Sequence, residues 1–176
     1  TESIRFVPPW PKPIRLVQSD DQIFIRAEGQ TVRLNAGLDV NVSEPGHYVT
    51  HDQLTPLEIP ANQFIRSYIL HFSPETKLGR RRAKRVTGAI TFARPIVGLI
   101  LSHEELVASS RRFGRRGAGE ANQRRELSLT GDETGDRVSL SDDRRTLSLD
   151  LLAPGRTSDL VRVIVSDGKV PRRIKR

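Results

Sequence analysis

The sequence contains no cysteine, no methionine and one tryptophan, and aromatic residues of all kinds make up only 5% of it. Zero cysteine excludes a disulfide framework, a thiolate metal site and a cysteine nucleophile. Few aromatics leave few rings on which bases can stack. Also missing is any apolar run near the roughly 20 residues that a membrane-crossing helix needs. The longest, Ile96 to Leu101 (IVGLIL), has the length of a buried strand. With no methionine anywhere and a start at Thr1-Glu2-Ser3, we expect either a fragment of a longer chain or a processed N-terminus, produced by loss of an initiator methionine or by cleavage of a signal peptide.

Positive charge is abundant instead. Lys and Arg number 29 against 21 Asp and Glu, a net of +8 over 176 residues. That length suits one domain with tails and lets a chain bury roughly 70% of its unfolded surface without a staple. The charge favours anionic partners without choosing among nucleic acid, acidic polysaccharide, lipid surface and acidic protein.

Period-two segments dominate the chain. Strands are expected at 14–17, 23–27, 31–34, 38–42, 64–72, 86–92 and 96–101, and later at 127–129, 138–140, 146–151 and 160–165. Glu28-Gly29 between β-branched runs predicts a hairpin, as do the polar residues 141–145. Residues 47–63, marked by prolines, are expected to form a long loop. One short helix is expected over 103–109, with Ser102 as N-cap and Glu105 completing a capping box. This pattern predicts an all-β fold, a two-sheet antiparallel β-sandwich of jelly-roll type with that one helix. A proline-rich arm (1–13) precedes the sandwich domain (14–166), and a basic tail (167–176) follows it.

Three basic runs are the strongest functional signal. The first holds Arg80, Arg81, Arg82, Lys84 and Arg85; the second Arg111, Arg112, Arg115 and Arg116 with Arg124 and Arg125; the third Arg172 and Arg173 with Lys169, Lys175 and Arg176. They are expected in loops and at the C-terminus, as an electrostatic footprint for an acidic protein partner or an anionic envelope polymer. The alternative is a solvated basic surface. Nucleic acid is disfavoured by the scarcity of rings and by the absence of a recognition-helix or zinc-finger signature. Trp10, among four prolines at 8–13, marks an extended arm that packs on its own sandwich or docks on a neighbour.

His47 and His51 are four apart, but Tyr48 follows the first where a zinc-protease motif needs glutamate, and the segment reads as loop. Gly131 to Asp136 (GDETGD) is acidic but lacks the alternation of a calcium loop, so a plain hairpin connection is expected. No nucleophile elbow, phosphate-cradling glycine loop or ordered Ser-His-Asp pattern occurs. We therefore expect no cofactor and no metal, and lean away from an enzyme.

Three stretches together resemble an uncharacterised β-sandwich domain recurrent in exported, planctomycete-type bacterial proteins. They are Pro45-Gly46-His47-Tyr48 through Ile59-Pro60-Ala61 to Ser67–Phe72; Gly88–Phe92 with Pro95–Ile100; and Asp136–Ser141 with Thr146–Leu149 and Asp159–Ile164. The resemblance implies a β-sandwich and export to the periplasm, cell surface or medium, and it brings no catalytic residues. Here an arginine-rich stretch, 111–125, replaces the tyrosine-proline element that usually follows the helix. The expectation is a non-enzymatic binding module, an accessory subunit or a surface protein, docking through basic loops. The alternatives are a carbohydrate-binding or carbohydrate-active jelly roll and a polyanion binder.

Overall fold

The computed structural model describes residues 3–8, 18–75, 83–113, 126–153 and 158–168. In chain order the first strands are β1 (Ile4–Phe6), β2 (Ile23–Ala27), β3 (Val32–Arg33), β4 (Leu38–Val40), β5 (Gly46–Tyr48), β6 (Leu57–Ile59) and β7 (Phe64–Phe72). Then come β8 (Lys84–Thr91), β9 (Ile96–Ile100), helix α1 (His103–Phe113), β10 (Arg137–Leu140), β11 (Thr146–Ala153) and β12 (Asp159–Ser166).

The larger sheet runs β1-β2-β7-β12-β9, with β3 also on β7; its pairs are antiparallel except β1 on β2. Facing it is the sheet β5-β10-β11-β8, antiparallel throughout. Alternation decides which side chains fill the gap. Val161, Val163 and Val165 of β12 and Leu70 and Phe72 of β7 meet Val138, Leu140, Leu147, Leu149 and Leu151 from the smaller sheet. The architecture is the expected all-β sandwich, with no closed barrel.

A further layer covers the other face of the larger sheet. Phe24, Ile65, Ile69, Leu160 and Ile164 pack there against Leu38, Val40 and Ile59 of the β4–β6 ribbon and against Leu106 and Phe113 of α1. Gly98 on β9 permits this approach, since a Cβ there would lie 2.5 Å from Val40 Cγ1. Covered on both faces, β12 is buried at every position but its last, and so reads as a nearly continuous apolar run.

The exception in that run is Arg162, 1% exposed. Its Nε and Nη2 donate to the two Glu28 carboxylate oxygens at 2.7 and 2.8 Å. Nη1 donates to Leu106 O at 3.0 Å and Ser109 Oγ at 2.6 Å, and Nη2 also to Ser110 Oγ at 3.3 Å. The Phe113 ring lies 5.7 Å from the guanidinium carbon. One satisfied guanidinium thus ties the helix to the sheet.

Several local expectations change. Glu28-Gly29 is a turn but not a hairpin, because β2 and β3 both pair with β7 and run in the same direction along it. The region 47–63 contains β6, most of β5 and a single 3₁₀ turn at His51–Gln53, all too short for a periodicity signal. Leu127 and Leu129 are buried but form no strand, since Ser128 N donates to Asp136 Oδ2 at 2.6 Å and Ser128 O accepts from Asp136 N at 2.7 Å. The helix continues past 109 to Phe113 because that ring has a place over Arg162. Ile4–Phe6, within the proline-rich arm, is an edge strand, and the segment 14–17 lies outside the described residues.

Candidate functional site

The same alternation that fills the core leaves the outer face of the smaller sheet polar. Ser139 of β10 stands between His47 of β5 and Ser148 of β11 in one cross-strand row, and Asp150 stands between Arg137 and Thr87 in the next. These six side chains line an open groove of about 810 Å³, with Ser3, Val49 and Gly131 at its margins. That volume is in the range of small-molecule sites. Gly88 lets the N-terminal strand close one side, since a Cβ there would lie 2.7 Å from Ile4 Cγ1 and 2.9 Å from Ser3 Oγ.

The electrostatics centre on Asp150. Arg85 Nη1 donates to it at 2.5 Å, while Arg85 Nη2 reaches the carbonyls of Glu133 and Gly135. Arg137 Nη1 is 3.6 Å from the other Asp150 oxygen, an ion pair longer than a hydrogen bond. Two guanidinium groups thus share one carboxylate, and Arg85 also faces the buried Asp136 carboxyl, whose pKa burial raises. His47 Nδ1 lies 2.5 Å from Ser139 Oγ. A serine, a histidine and an aspartate all line the groove, but Asp150 is engaged by arginines rather than standing behind the imidazole. The arrangement therefore lacks the orienting carboxylate of a hydrolytic triad. It supplies hydroxyls, an imidazole and a guanidinium fork, which is recognition chemistry.

The residues singled out from the sequence fare differently. Lys84 and Arg85 belong to β8 rather than to a loop, and both are engaged, Lys84 with Asp20 at 3.3 Å and Arg85 with Asp150. Arg111 and Arg112 sit in the last turn of α1, and Arg112 Nη1 donates to Ala36 O at 2.9 Å. Arg80, Arg81, Arg82, Arg115, Arg116, Arg172, Arg173 and Trp10 lie outside the described residues. His51 is exposed on the 3₁₀ turn, and among the described residues no three His, Asp or Glu stand together in a way that could hold a metal. The acidic turn is organised by its own hydrogen bonds. Asp132 Oδ1 accepts from the Thr134 hydroxyl, the Thr130 hydroxyl and Thr134 N, which hold its carboxyl down to about 2.

Charge is segregated along the chain. Sixteen of the 29 Lys and Arg fall in the three basic runs 80–85, 111–125 and 169–176, with one of the 21 Asp and Glu. The rest of the sequence is net negative by seven. The groove was hidden in the sequence because its walls come from four strands spread over about 100 residues. The alternation at Arg137-Val138-Ser139 and Ser148-Leu149-Asp150 was the available signal, but it does not reveal which strands are neighbours. Comparison of the chain with protein-family models, characterised proteins and solved structures finds no match.

Proposed function

We propose that the chain is a non-enzymatic binding module that lays an anionic polymer across the outer face of its four-stranded sheet. The observation that carries this reading is a hydroxyl-lined groove that presents the half-exposed Arg137 on a chain of net charge +8. At long range the net +8 of the whole chain draws polyanions in. At short range Arg137, Ser139, Ser148 and Thr87 make the contacts. Export goes with this proposal and rests on the sequence resemblance.

The test is affinity electrophoresis of the full chain through gels with and without an acidic polysaccharide, using wild type and Ser148→Tyr. The substitution fills the groove on an exposed face that tolerates an aromatic strand residue. Retardation of the wild type at low salt, lost in S148Y while the melting temperature stays the same, supports the reading. Equal retardation of both proteins places binding elsewhere.

A further inference from the structure

We infer that the polymer is a carboxylate-bearing polysaccharide, whose acid group is read by Arg137 and whose hydroxyls are read by Thr87, Ser139 and Ser148; this rests on the groove being the binding face. Strands β10 and β11 are internal, so their backbone groups are already spent on neighbouring strands. A peptide that binds by strand addition needs an open edge instead. A ligand lying across this face meets side chains only.

Those side chains are matched to sugars. Each hydroxyl both donates and accepts, as a sugar hydroxyl does. Within a cross-strand row neighbouring side chains stand about 4.8 Å apart, which presents hydroxyls in a ladder rather than at one point. Among the described residues the groove has no ring but the His47 imidazole, and its apolar contributors are Val49 and Leu149. Nucleobases, which need stacking platforms, find none among these residues.

Charge selects among sugars. Asp150 is held by Arg85 at 2.5 Å, while Arg137 stands off at 3.6 Å, so its fork can take a second carboxylate in bidentate fashion. Arg85 is shared between Asp150 and the buried Asp136, so the half-exposed Arg137 is the cation the groove offers a ligand. That suits one ligand carboxylate within the groove. A densely sulfated or phosphorylated chain would bring further anions against Asp150.

The test is isothermal titration calorimetry with oligogalacturonate and with its methyl ester, which keeps the rings and removes the charge. The wild type should bind the acid about 10- to 100-fold more tightly than the ester. Arg137→Gln should abolish that preference, and Arg137→Lys should restore part of it. S148Y should bind neither. Equal wild-type affinity for acid and ester overturns the carboxylate assignment and leaves the groove reading intact. Failure of both sugars, with S148Y still abolishing retardation by another polyanion, likewise overturns only the assignment. If S148Y changes nothing, the groove reading fails as well. Should Arg137→Gln not fold, the acid-against-ester comparison in the wild type decides alone.

Discussion

Asp159, the first residue of β12, is a charged-type side chain buried without a full set of partners. It is 5% exposed, and its Oδ2 has no hydrogen-bond partner among the described residues. Nearby Asp136 accepts from Ser128 N at 2.6 Å and Leu152 N at 2.8 Å. Two buried carboxyls with interacting charges do not both ionise readily, and the one with two amide donors keeps the charge. Burial first, and the Asp136 charge second, push Asp159 up to about 8 from an ordinary 3.8. Between those values the folded chain holds a proton that the unfolded chain has released. The contribution is therefore complete below the lower value and lost as pH rises toward the higher one, with a slope of up to about 1.4 kcal/mol per pH unit. Asp159→Asn keeps the shape and removes the titration. We expect it to melt well above wild type at pH 8, with the two converging near pH 4. Thermal melts across that range check this, and an unchanged pH slope in D159N would assign the proton elsewhere. Asp132 works in the opposite sense: its lowered value makes its contribution present above the ordinary range and lost only as pH falls toward about 2.

At the scale of elements, the attachment of α1 depends on Arg162 as much as on apolar contact. Removing the guanidinium with Arg162→Met leaves Glu28 partly buried without its cation, and takes one donor each from Leu106 O and the Ser109 and Ser110 hydroxyl oxygens. Breaking such a pair costs about 3–5 kcal/mol. The double variant Glu28→Gln/Arg162→Met should recover part of that loss, because the stranded charge is gone. Urea denaturation of the singles and the double gives the coupling. Equal losses in R162M and the double variant would rule out the stranded charge as the cause. Arg162 was visible in the sequence as the one charge inside Leu160-Val161-Arg162-Val163-Ile164-Val165, but its partner Glu28 was not. The long strands β7, β11 and β12 were legible because alternation or continuous apolar character persists over enough residues to be unambiguous. The three-residue strands β5 and β6 were not, since three residues carry no period. At 127–129 alternation correctly marked buried leucines, yet side-chain burial does not determine where the amides go, and here Asp136 takes one. The groove failed to show for a related reason: each wall residue is an ordinary outward position on its own strand, and only the β5-β10-β11-β8 order makes them a site.

For the whole molecule, the separation of charge assigns different jobs to different parts of the chain. Without its three basic runs, 80–85, 111–125 and 169–176, the sequence holds 13 Lys and Arg against 20 Asp and Glu and should not attract a polyanion. The chain as a whole, at +8, should. Long-range attraction acts on the rate of encounter, while contacts made at close range act on the rate of escape. The arginines of the basic runs and Arg137 of the groove should therefore separate kinetically. Replacing Arg80, Arg81, Arg82, Arg115, Arg116, Arg172 and Arg173 with Gln removes seven charges and brings the net close to neutral. We expect association with an immobilised acidic polysaccharide to slow about tenfold or more at low salt. Its salt dependence should flatten, because few charges remain to be screened. Dissociation should stay near the wild-type rate. Arg137→Gln should do the reverse, leaving association nearly unchanged and speeding dissociation. Surface plasmon resonance at two ionic strengths separates the two. Faster dissociation in the seven-fold variant would mean that those arginines hold the polymer directly, and the groove would then be a secondary contact.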